Sequence, residues 1–344
     1  MSYTNGLDKP TDYFNTVLYT GNGSTQSITG INFQPDWVWI KERDDTPDHK
    51  IYDVVRGATK SIESNTTEAE TTNSSSLTSF DSDGFSLGTN GSTNGSGDLF
   101  VSWNWLAGGS ASSNTDGSIT SSVSANTTAG FSIVSYTGNG TSGATIGHGL
   151  SSKPTDIFVK SRNDTTNWCS QHKALGATKF MRLNDTRAVT TNTARWNDTE
   201  PTSSVFSVGN DSETNQNNNT YIAYCFAEKK GFSRFGSYVG NGSSDGSYIH
   251  LGFKPAFVLL KQTNSTNYWN IYDNKRDIDN AVGKRLHPNT SDAETSNTDM
   301  DFLSNGFKLR NSGANQNGSG STYIYMAFAE NPFVTSTGIP TTAR

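Results

Sequence analysis

The residues able to do chemistry in this 344-residue sequence are scattered rather than clustered. The histidines show no zinc-like spacing, and no two of them fall within one helical turn, so we expect scattered surface positions. They are His49, His148, His172, His250 and His287. Two cysteines, Cys169 and Cys225, are too few to be the disulfide framework of a chain of this length, so we expect reduced thiols.

Two acidic features are candidate sites. Asp81-Ser-Asp83-Gly84 resembles the start of a calcium loop, but the equivalent segments elsewhere in the chain lack the acidic pair, which favours a plain turn. Glu228 and Glu330 recur at one equivalent position where a third segment has Ala107. Because an inherited site should recur in full, we predict no enzyme, no catalytic residue, no metal site and no cofactor.

Charge and hydropathy exclude further classes of function. Lys and Arg number 26 against 32 Asp and Glu, a net charge of -6, and no basic stripe is present, so nucleic acid is not an expected partner. No apolar run is long enough to span a bilayer, and the start lacks the pattern of a secretory signal. We therefore expect no membrane insertion and synthesis in a cytoplasm.

Four strand and turn patterns occur three times along the chain. The first is a turn, Tyr19-Thr-Gly-Asn-Gly23 in its first occurrence, in which Asn-Gly predicts a tight hairpin. The second is a strand entered through proline, at Pro35, Pro154 and Pro255. Its apolar residues lie on both faces, which predicts a central buried strand.

The other two patterns are also strands. One alternates Phe with Leu or Val, as in Phe85-Ser-Leu87, and predicts one wet face. The last is aromatic, and its large apolar face is predicted to be core in every repeat. The three forms of this closing strand are Phe100–Trp105, Tyr221–Phe226 and Tyr323–Phe328.

The recurrence predicts an all-β fold with three tandem β-sandwich units of about 100 residues, of jelly-roll or concanavalin-like lectin type. A closed barrel is the alternative. The predicted segments are an N-terminal arm (1–13), unit 1 (14–106), a flexible Gly/Ser/Asn/Thr linker (107–130), unit 2 (131–228), unit 3 (229–331) and a C-terminal arm (332–344). We expect unit 1 to be spatially more independent than the other two, and the arms to lie across neighbouring molecules.

Two further hypotheses come from comparing the repeats. Asp53 and Arg56 match Asp273 and Arg276, whereas the second repeat has His172 and Leu175. Joint loss of both partners predicts a buried ion pair.

Aromatic rings outside the core strands could stack on sugars. Trp168 and Trp269 are equivalent and are expected in the core, whereas Trp196 lies in a polar stretch and is the candidate ligand-contact residue.

The chain resembles a repeated domain of structural proteins from marine bacteriophages (cyanophage-type). The resemblance covers nearly the whole chain and is carried by Gly6–Gly23, Phe33–Lys41, Arg56–Lys60, Ser79–Gly88, Tyr221–Glu228 and Phe328–Phe333. It implies a virion structural protein assembled in the host cytoplasm, with a lectin-like strand pattern and no catalytic residues.

The resemblance leaves alternatives for the place in the particle. The first is a surface-exposed tail fibre, spike or adhesin component that contacts host-surface glycans. The second, suggested by a chain that starts almost directly with its first unit, is a head decoration (cement) protein bound to the capsid lattice. A carbohydrate-active enzyme is a distant third. Expected partners are other tail or capsid proteins and further copies of the chain, with a trimer expected from the symmetry of such particles.

Overall fold

The structure, a computed structural model, describes residue 4 and residues 6–341. The prediction of an all-β protein is confirmed. Helical structure in the described residues consists of a 3₁₀ turn at Pro10–Asp12 and two single-turn helices, α1 (Gly91–Asn94) and α2 (Thr193–Trp196). None of these is long or apolar enough to cross a membrane.

The first repeat forms three groups of antiparallel strands. Its strands are β1 (Phe14–Thr20), β2 (Gln26–Ile28), β3 (Trp37–Glu42), β4 (Lys50–Asp53), β5 (Lys60–Ser61), β6 (Thr71–Thr72), β7 (Leu77–Asp81), β8 (Gly84–Leu87) and β9 (Leu99–Trp105). They form a four-stranded sheet in the order β1-β9-β3-β4, a three-stranded sheet in the order β2-β8-β7, and the pair β5-β6.

The second repeat has a wider main sheet. Its strands are β10 (Ser112–Asn114), β11 (Ser121–Asn126), β12 (Phe131–Thr137), β13 (Ala144–Gly147), β14 (Asp156–Ser161), β15 (Cys169–His172), β16 (Lys179–Phe180), β17 (Thr190–Thr191), β18 (Val205–Val208) and β19 (Thr220–Phe226). The six-stranded sheet has the order β10-β11-β12-β19-β14-β15, and β13-β18 and β16-β17 form pairs.

The third repeat forms two four-stranded sheets. Its strands are β20 (Ser233–Val239), β21 (Tyr248–His250), β22 (Phe253–Gln262), β23 (Trp269–Asp273), β24 (Val282–Arg285), β25 (Thr295–Leu303), β26 (Gly306–Leu309) and β27 (Thr322–Pro332). The orders are β20-β27-β22-β23 and β21-β26-β25-β24.

One strand order therefore occurs three times. In each repeat the strand before the Asn-Gly turn (β1, β12 or β20) pairs with the closing strand. The closing strand also pairs with the proline-entered strand, which in turn pairs with the strand after it. The proline-entered strand lies inside the sheet, and β3 and β14 are buried at every position. Pro255 differs from its equivalents because it lies within β22, where the register shifts at a bulge.

Side-chain alternation divides each main sheet between two cores, as predicted. Val38 and Ile40 of β3 face an inner core that lies within the first repeat. Trp39, between them, faces a second cluster to which all three repeats contribute, here called the shared core. The closing strands supply much of it, with Val101, Trp103, Trp105, Ile222, Tyr224, Phe226, Ile324, Met326 and Phe328.

The shared core joins the first repeat to both others. The Trp37 ring lies 4.6 Å from that of Tyr224, and the Phe14 ring stacks 5.3 Å from that of Phe328. Each fully buried large side chain of this kind contributes about 1.5–3 kcal/mol. The prediction that the first repeat is spatially more independent is therefore wrong.

The Asn-Gly turns connect two sheets and do not close hairpins. Strand β1 pairs with β9, whereas β2, after the turn, pairs with β8. The glycine after asparagine has the positive φ expected of it, +67° at Gly23. Gly21 lies against the loop before β9, where a Cβ would fall 2.1 Å from the Gly95 carbonyl oxygen. This close approach directs the chain across to the second sheet.

The segment predicted as a flexible linker, residues 107–130, contains strands β10 and β11. Strand β11 pairs with β12 along its whole length and widens the main sheet of the second repeat. Ile119 and Val123 are buried in the inner core of that repeat. Strand pairing and a few buried apolar residues suffice to order a segment whose composition is otherwise that of a linker.

Both predicted arms pack, where described, against their own chain. Leu7 is buried in the shared core, and the Tyr13 ring lies 6.0 Å from that of Phe232. Asp8 accepts a hydrogen bond from the Ser336 amide at 2.6 Å, so the two arms meet. Residues 1–3, 5 and 342–344 of these arms lie outside the described part of the chain.

Candidate functional site

The charged residues singled out by the repeat comparison lie at an interface between repeats. Asp53 ends β4, and its Oδ2 accepts a hydrogen bond from Arg56 Nε at 2.5 Å. Neither side chain is exposed to solvent. The predicted ion pair is therefore confirmed, and burial makes each partner dependent on the other.

The second repeat completes this set across the first–second interface. Tyr224 of β19 donates its hydroxyl to Asp53 at 2.7 Å. Arg162, just after β14, makes two hydrogen bonds to Glu70 at 2.9 and 3.1 Å. Burial alone would raise the pKa of Glu70, but the Arg162 hydrogen bond and the Arg56 charge hold that pKa below its ordinary value.

The third–first interface repeats this arrangement. Arg276 Nε donates to Asp273 at 2.6 Å, and both side chains are fully buried. Asp273 also accepts a hydrogen bond from the Trp103 indole of the first repeat at 3.0 Å. Arg43 makes two hydrogen bonds to Glu294, at 2.9 and 3.1 Å.

The second–third interface carries an uncharged set at the same positions. His172, Leu175 and Val189 stand where the other two interfaces have Asp, Arg and Glu. Leu175 and Val189 pack against the shared core, which includes Met326 at the position of Tyr224 and Trp103. His172 hydrogen-bonds the Tyr325 carbonyl oxygen at 3.2 Å.

A contact between a side-chain ring nitrogen and a backbone carbonyl oxygen occurs at all three interfaces. It shows that the repeats contact one another cyclically. Trp168 donates its indole N–H to the Glu63 carbonyl oxygen at 2.8 Å, and Trp269 donates to that of Arg182 at 2.9 Å. At the third–first interface His49 replaces tryptophan, with Nε2 3.1 Å from the His287 carbonyl oxygen. The same face of each repeat therefore meets the opposite face of the next.

These groups can stabilise and align interfaces, and the four side chains of the Asp53–Arg56 and Asp273–Arg276 pairs have no exposed surface. The arginines and carboxylates satisfy one another, and burial raises the pKa of the Tyr224 hydroxyl well above its ordinary value. A catalytic group must touch a substrate, and a side chain with no exposed surface does not.

A second recurring group is a buried asparagine shortly before each closing strand, at Asn94 (the last residue of α1), Asn215 and Asn317. Its Oδ1 accepts the amide hydrogen of the asparagine in the Asn-Gly turn, at 2.9 Å in every repeat. Its Nδ2 donates to the carbonyl oxygen six residues earlier, at 2.7–2.8 Å. One amide thus holds two loops together in each repeat.

Trp196 is not placed to contact a ligand. It ends helix α2 and is fully buried in the inner core of the second repeat. Asn192 caps the helix, and Asn197, in the left-handed conformation, ends it. Trp168 and Trp269 lie in the shared core, as predicted.

The other acidic candidates have structural partners. Asp83 accepts the amides of Gly30 and Asn32 at 3.0 and 2.7 Å, which is the behaviour of a turn residue. Glu228 and Glu330 form ion pairs with Lys173 and Lys254. Across residues 4 and 6–341, no group of three or more His, Cys, Asp or Glu side chains is arranged to hold a metal ion.

The expectation of surface histidines is wrong for all but His250. Burial lowers the pKa of His148 and of His172 to about 4, so both are neutral at pH 7. Each accepts a backbone amide at Nδ1, from Leu150 and Ala174 respectively. Both cysteines are free and buried, and burial raises the pKa of the Cys225 thiol.

The sequence analysis missed the arginine–glutamate contacts at the two charged interfaces. Arg43 and Arg162 follow the recurring lysine of the proline-entered strand by two residues, and the third repeat has Thr263 there. Where this arginine is lost, the facing residue is Val189 in place of glutamate. The same comparison that found Asp53 and Arg56 could have found this pair.

One family model matches the chain across all three repeats. A family model described as a domain of unknown function, DUF7483, matches residues 9–332 and so spans all three repeats. The search of curated proteins found no match, and the search of solved structures found none either. The chain belongs to the DUF7483 family.

Proposed function

We propose that the chain is a non-enzymatic structural protein of a bacteriophage particle, exposed on a tail fibre, spike or adhesin. The resemblance to phage structural proteins motivates the proposal. The observation that carries it is the placement of the Asp–Arg–Glu sets, which join repeats to one another and whose aspartate and arginine side chains are fully buried. Such a scaffold holds loops in fixed positions, which suits a surface protein.

Each repeat is proposed to be a two-layer sandwich of jelly-roll or concanavalin-like type. Support comes from the third repeat, where the sheets β20-β27-β22-β23 and β21-β26-β25-β24 both contribute to one inner core. Phe307 of one sheet and Tyr325 of the other lie 5.7 Å apart between ring centroids.

Contact with host glycans belongs to the same proposal, but at residues other than Trp196. Exposed aromatic side chains offer flat apolar area for sugar rings. Tyr248 and Tyr268, 45% and 40% exposed, both belong to the third repeat. We therefore place the contact surface on that repeat.

The oligomeric state bears on the place in the particle. The symmetry of such particles favours a homo-trimer. However, a single chain already has three repeats in cyclic contact, so one chain could occupy a three-fold position by itself. Native mass spectrometry, which measures the mass of the intact assembly, distinguishes a trimer from a monomer.

The decisive experiment is immunogold labelling of intact particles of the phage that encodes the chain. Label on the tail supports the proposal. Label on the head alone would replace it with the decoration protein, and particles free of label would exclude both. A labelled unrelated tail protein serves as the control for antibody access.

A further inference from the structure

A surface cavity of about 370 Å³ lies where the C-terminal arm crosses the third repeat. One wall is the start of β20, with Arg234, and another is the turn between β21 and β22, with Leu251. The arm supplies Phe333 and Val334. This volume is within the range of small-molecule sites.

The lining of this cavity is mostly apolar. Leu251 is buried beneath it, and Phe333 is 42% exposed at its edge. Gly252 also lines it, with φ +83° and only His250 near the space that a Cβ would occupy, at 3.8 Å. Backbone without a side chain leaves this wall open to a ligand.

The charge of the cavity is positive. Arg234 and Lys230 line it together with one acidic residue, and the Arg234 guanidinium group donates a long hydrogen bond, 3.5 Å, to the Leu251 carbonyl oxygen. Among the described residues, no ion pair joins Arg234 to a carboxylate. The acidic residue of the lining, Glu228, is bound by Lys173 and by the Phe235 amide. Arg234 is thus a cation next to apolar surface, and within the described residues its hydrogen-bond acceptor is a carbonyl oxygen and not a carboxylate.

We propose that this cavity binds a small carboxylate with an apolar body. A guanidinium group binds a carboxylate through two parallel hydrogen bonds, and Leu251, Phe333 and Val334 cover the apolar part. The inference goes beyond the proposed function, because it concerns this cavity alone and holds or fails wherever the protein sits in a particle.

The test is calorimetric titration of the full-length protein with octanoate at pH 7. Two further probes test whether the charge and the apolar chain are both needed. Octyl glucoside has the apolar chain without the charge, and glucuronate is an acidic sugar without the apolar chain. Octanoate is expected to bind at one site, at least about tenfold more tightly than either. No octanoate binding, or equal binding of glucuronate or octyl glucoside, would overturn the proposal.

Variants locate the site. Arg234→Gln is expected to weaken octanoate binding at least about tenfold, and Phe333→Ala about threefold or more. Arg187→Gln, the same change at an exposed arginine of the second repeat, is the matched control and is expected to leave binding unchanged. Unchanged binding in Arg234→Gln would exclude this cavity. Should that variant lose its cooperative melting transition, Arg234→Lys and Phe333→Ala decide in its place.

Discussion

The first–second and second–third interfaces use one backbone geometry with two different sets of side chains. At both, an indole N–H donates across to a carbonyl oxygen. A backbone amide also donates across to the carbonyl oxygen of the residue two positions after the recurring lysine, Arg162 or Thr263, at 2.8 Å. Between these contacts the first–second interface buries Asp53 and Arg56 and covers most of Glu70, whereas the second–third interface buries or covers His172, Leu175 and Val189. The strand framework therefore does not dictate the chemistry of the interface.

Each of the two sets of side chains is complete by itself. At the first–second interface the carboxylates of the first repeat face the Tyr224 hydroxyl and Arg162 of the second. At the second–third interface the apolar residues of the second repeat face Met326 and Thr263 of the third. A mixed interface would leave a buried charge without its partner, which is strongly unfavourable. The sets thus specify which repeat adjoins which.

The largest effect is expected from breaking the charged set at one residue. Arg56→Leu gives the first repeat the residue found at Leu175 and leaves Asp53 buried without a cation. We expect the free energy of unfolding in urea to fall by about 3–5 kcal/mol. Leu175→Ala, at the equivalent half-buried position, should cost only about 1–2 kcal/mol.

Converting the whole interface is the control for that prediction. The five changes are Asp53→His, Arg56→Leu, Glu70→Val, Arg162→Thr and Tyr224→Met. Because every charge leaves with its partner, this variant should be more stable than Arg56→Leu alone. A loss under about 1 kcal/mol for Arg56→Leu would show that the pair is not energetically coupled.

The two interfaces should lose stability in different pH ranges as the pH falls. His172 has a folded pKa of about 4, below its ordinary value of 6.5, so the unfolded chain binds this proton first as the pH falls. Stability is then lost between pH 6.5 and 4, by about 3 kcal/mol from this residue. Glu70, whose pKa is lowered, contributes stability that is lost only as the pH falls below 4.5.

Denaturation at pH 7 and pH 4.5 measures this difference. His172→Gln should lose about 2 kcal/mol less than the unaltered protein between these two pH values. His250→Gln, at the exposed histidine, should behave as the unaltered protein does. An identical acid response of His172→Gln would assign the sensitivity to other groups.

A smaller effect tests whether the two charged interfaces are equivalent. Glu70→Gln and Glu294→Gln each remove one charge from a two-bond contact with arginine, at nearly equal distances. Each should cost about 2 kcal/mol. Glu228→Gln, in a more exposed pair, should cost under about 1 kcal/mol. A large difference between the first two would mean that the interfaces are not equivalent.

The smallest effect concerns a feature that all repeats share. Gly23→Ala and Gly140→Ala place a Cβ at φ +67° and +68°, and each should cost about 1 kcal/mol. Gly242→Ala should cost more, because its Cβ would lie 2.7 Å from the Ser319 Cβ. Thermal melts of the three variants test this order.

The strands and their buried faces could be predicted because alternation is a local property. Val38 and Trp39 were assigned to opposite faces from sequence alone, and each faces a different core. The Asn-Gly turn could not be interpreted in the same way, since its residues fix φ but not the sheet that the next strand joins. Ordering of residues 107–130 depends on pairing with β12, which composition does not show.

The interface residues were only half predictable. Asp53 and Arg56 lie three residues apart and vary together, whereas Arg162 and Glu70 lie 92 residues apart in different repeats. Trp196 was misjudged because its sequence neighbours are polar, while the inner core covers it from other strands. The buried histidines were missed because their partners are backbone groups, which have no sequence signature.

The cyclic contact between repeats has a consequence for how such a chain can be rearranged. The first repeat carries both complementary halves, with Asp53, Arg56 and Glu70 on one side and Arg43 and Trp103 on the other. It is therefore the one repeat compatible with a neighbour of its own kind. A duplicated second repeat would set Arg162 against Val189, and a duplicated third would set Asp273 against Met326. Gene duplications in this family should be tolerated at the first repeat and eliminated at the other two.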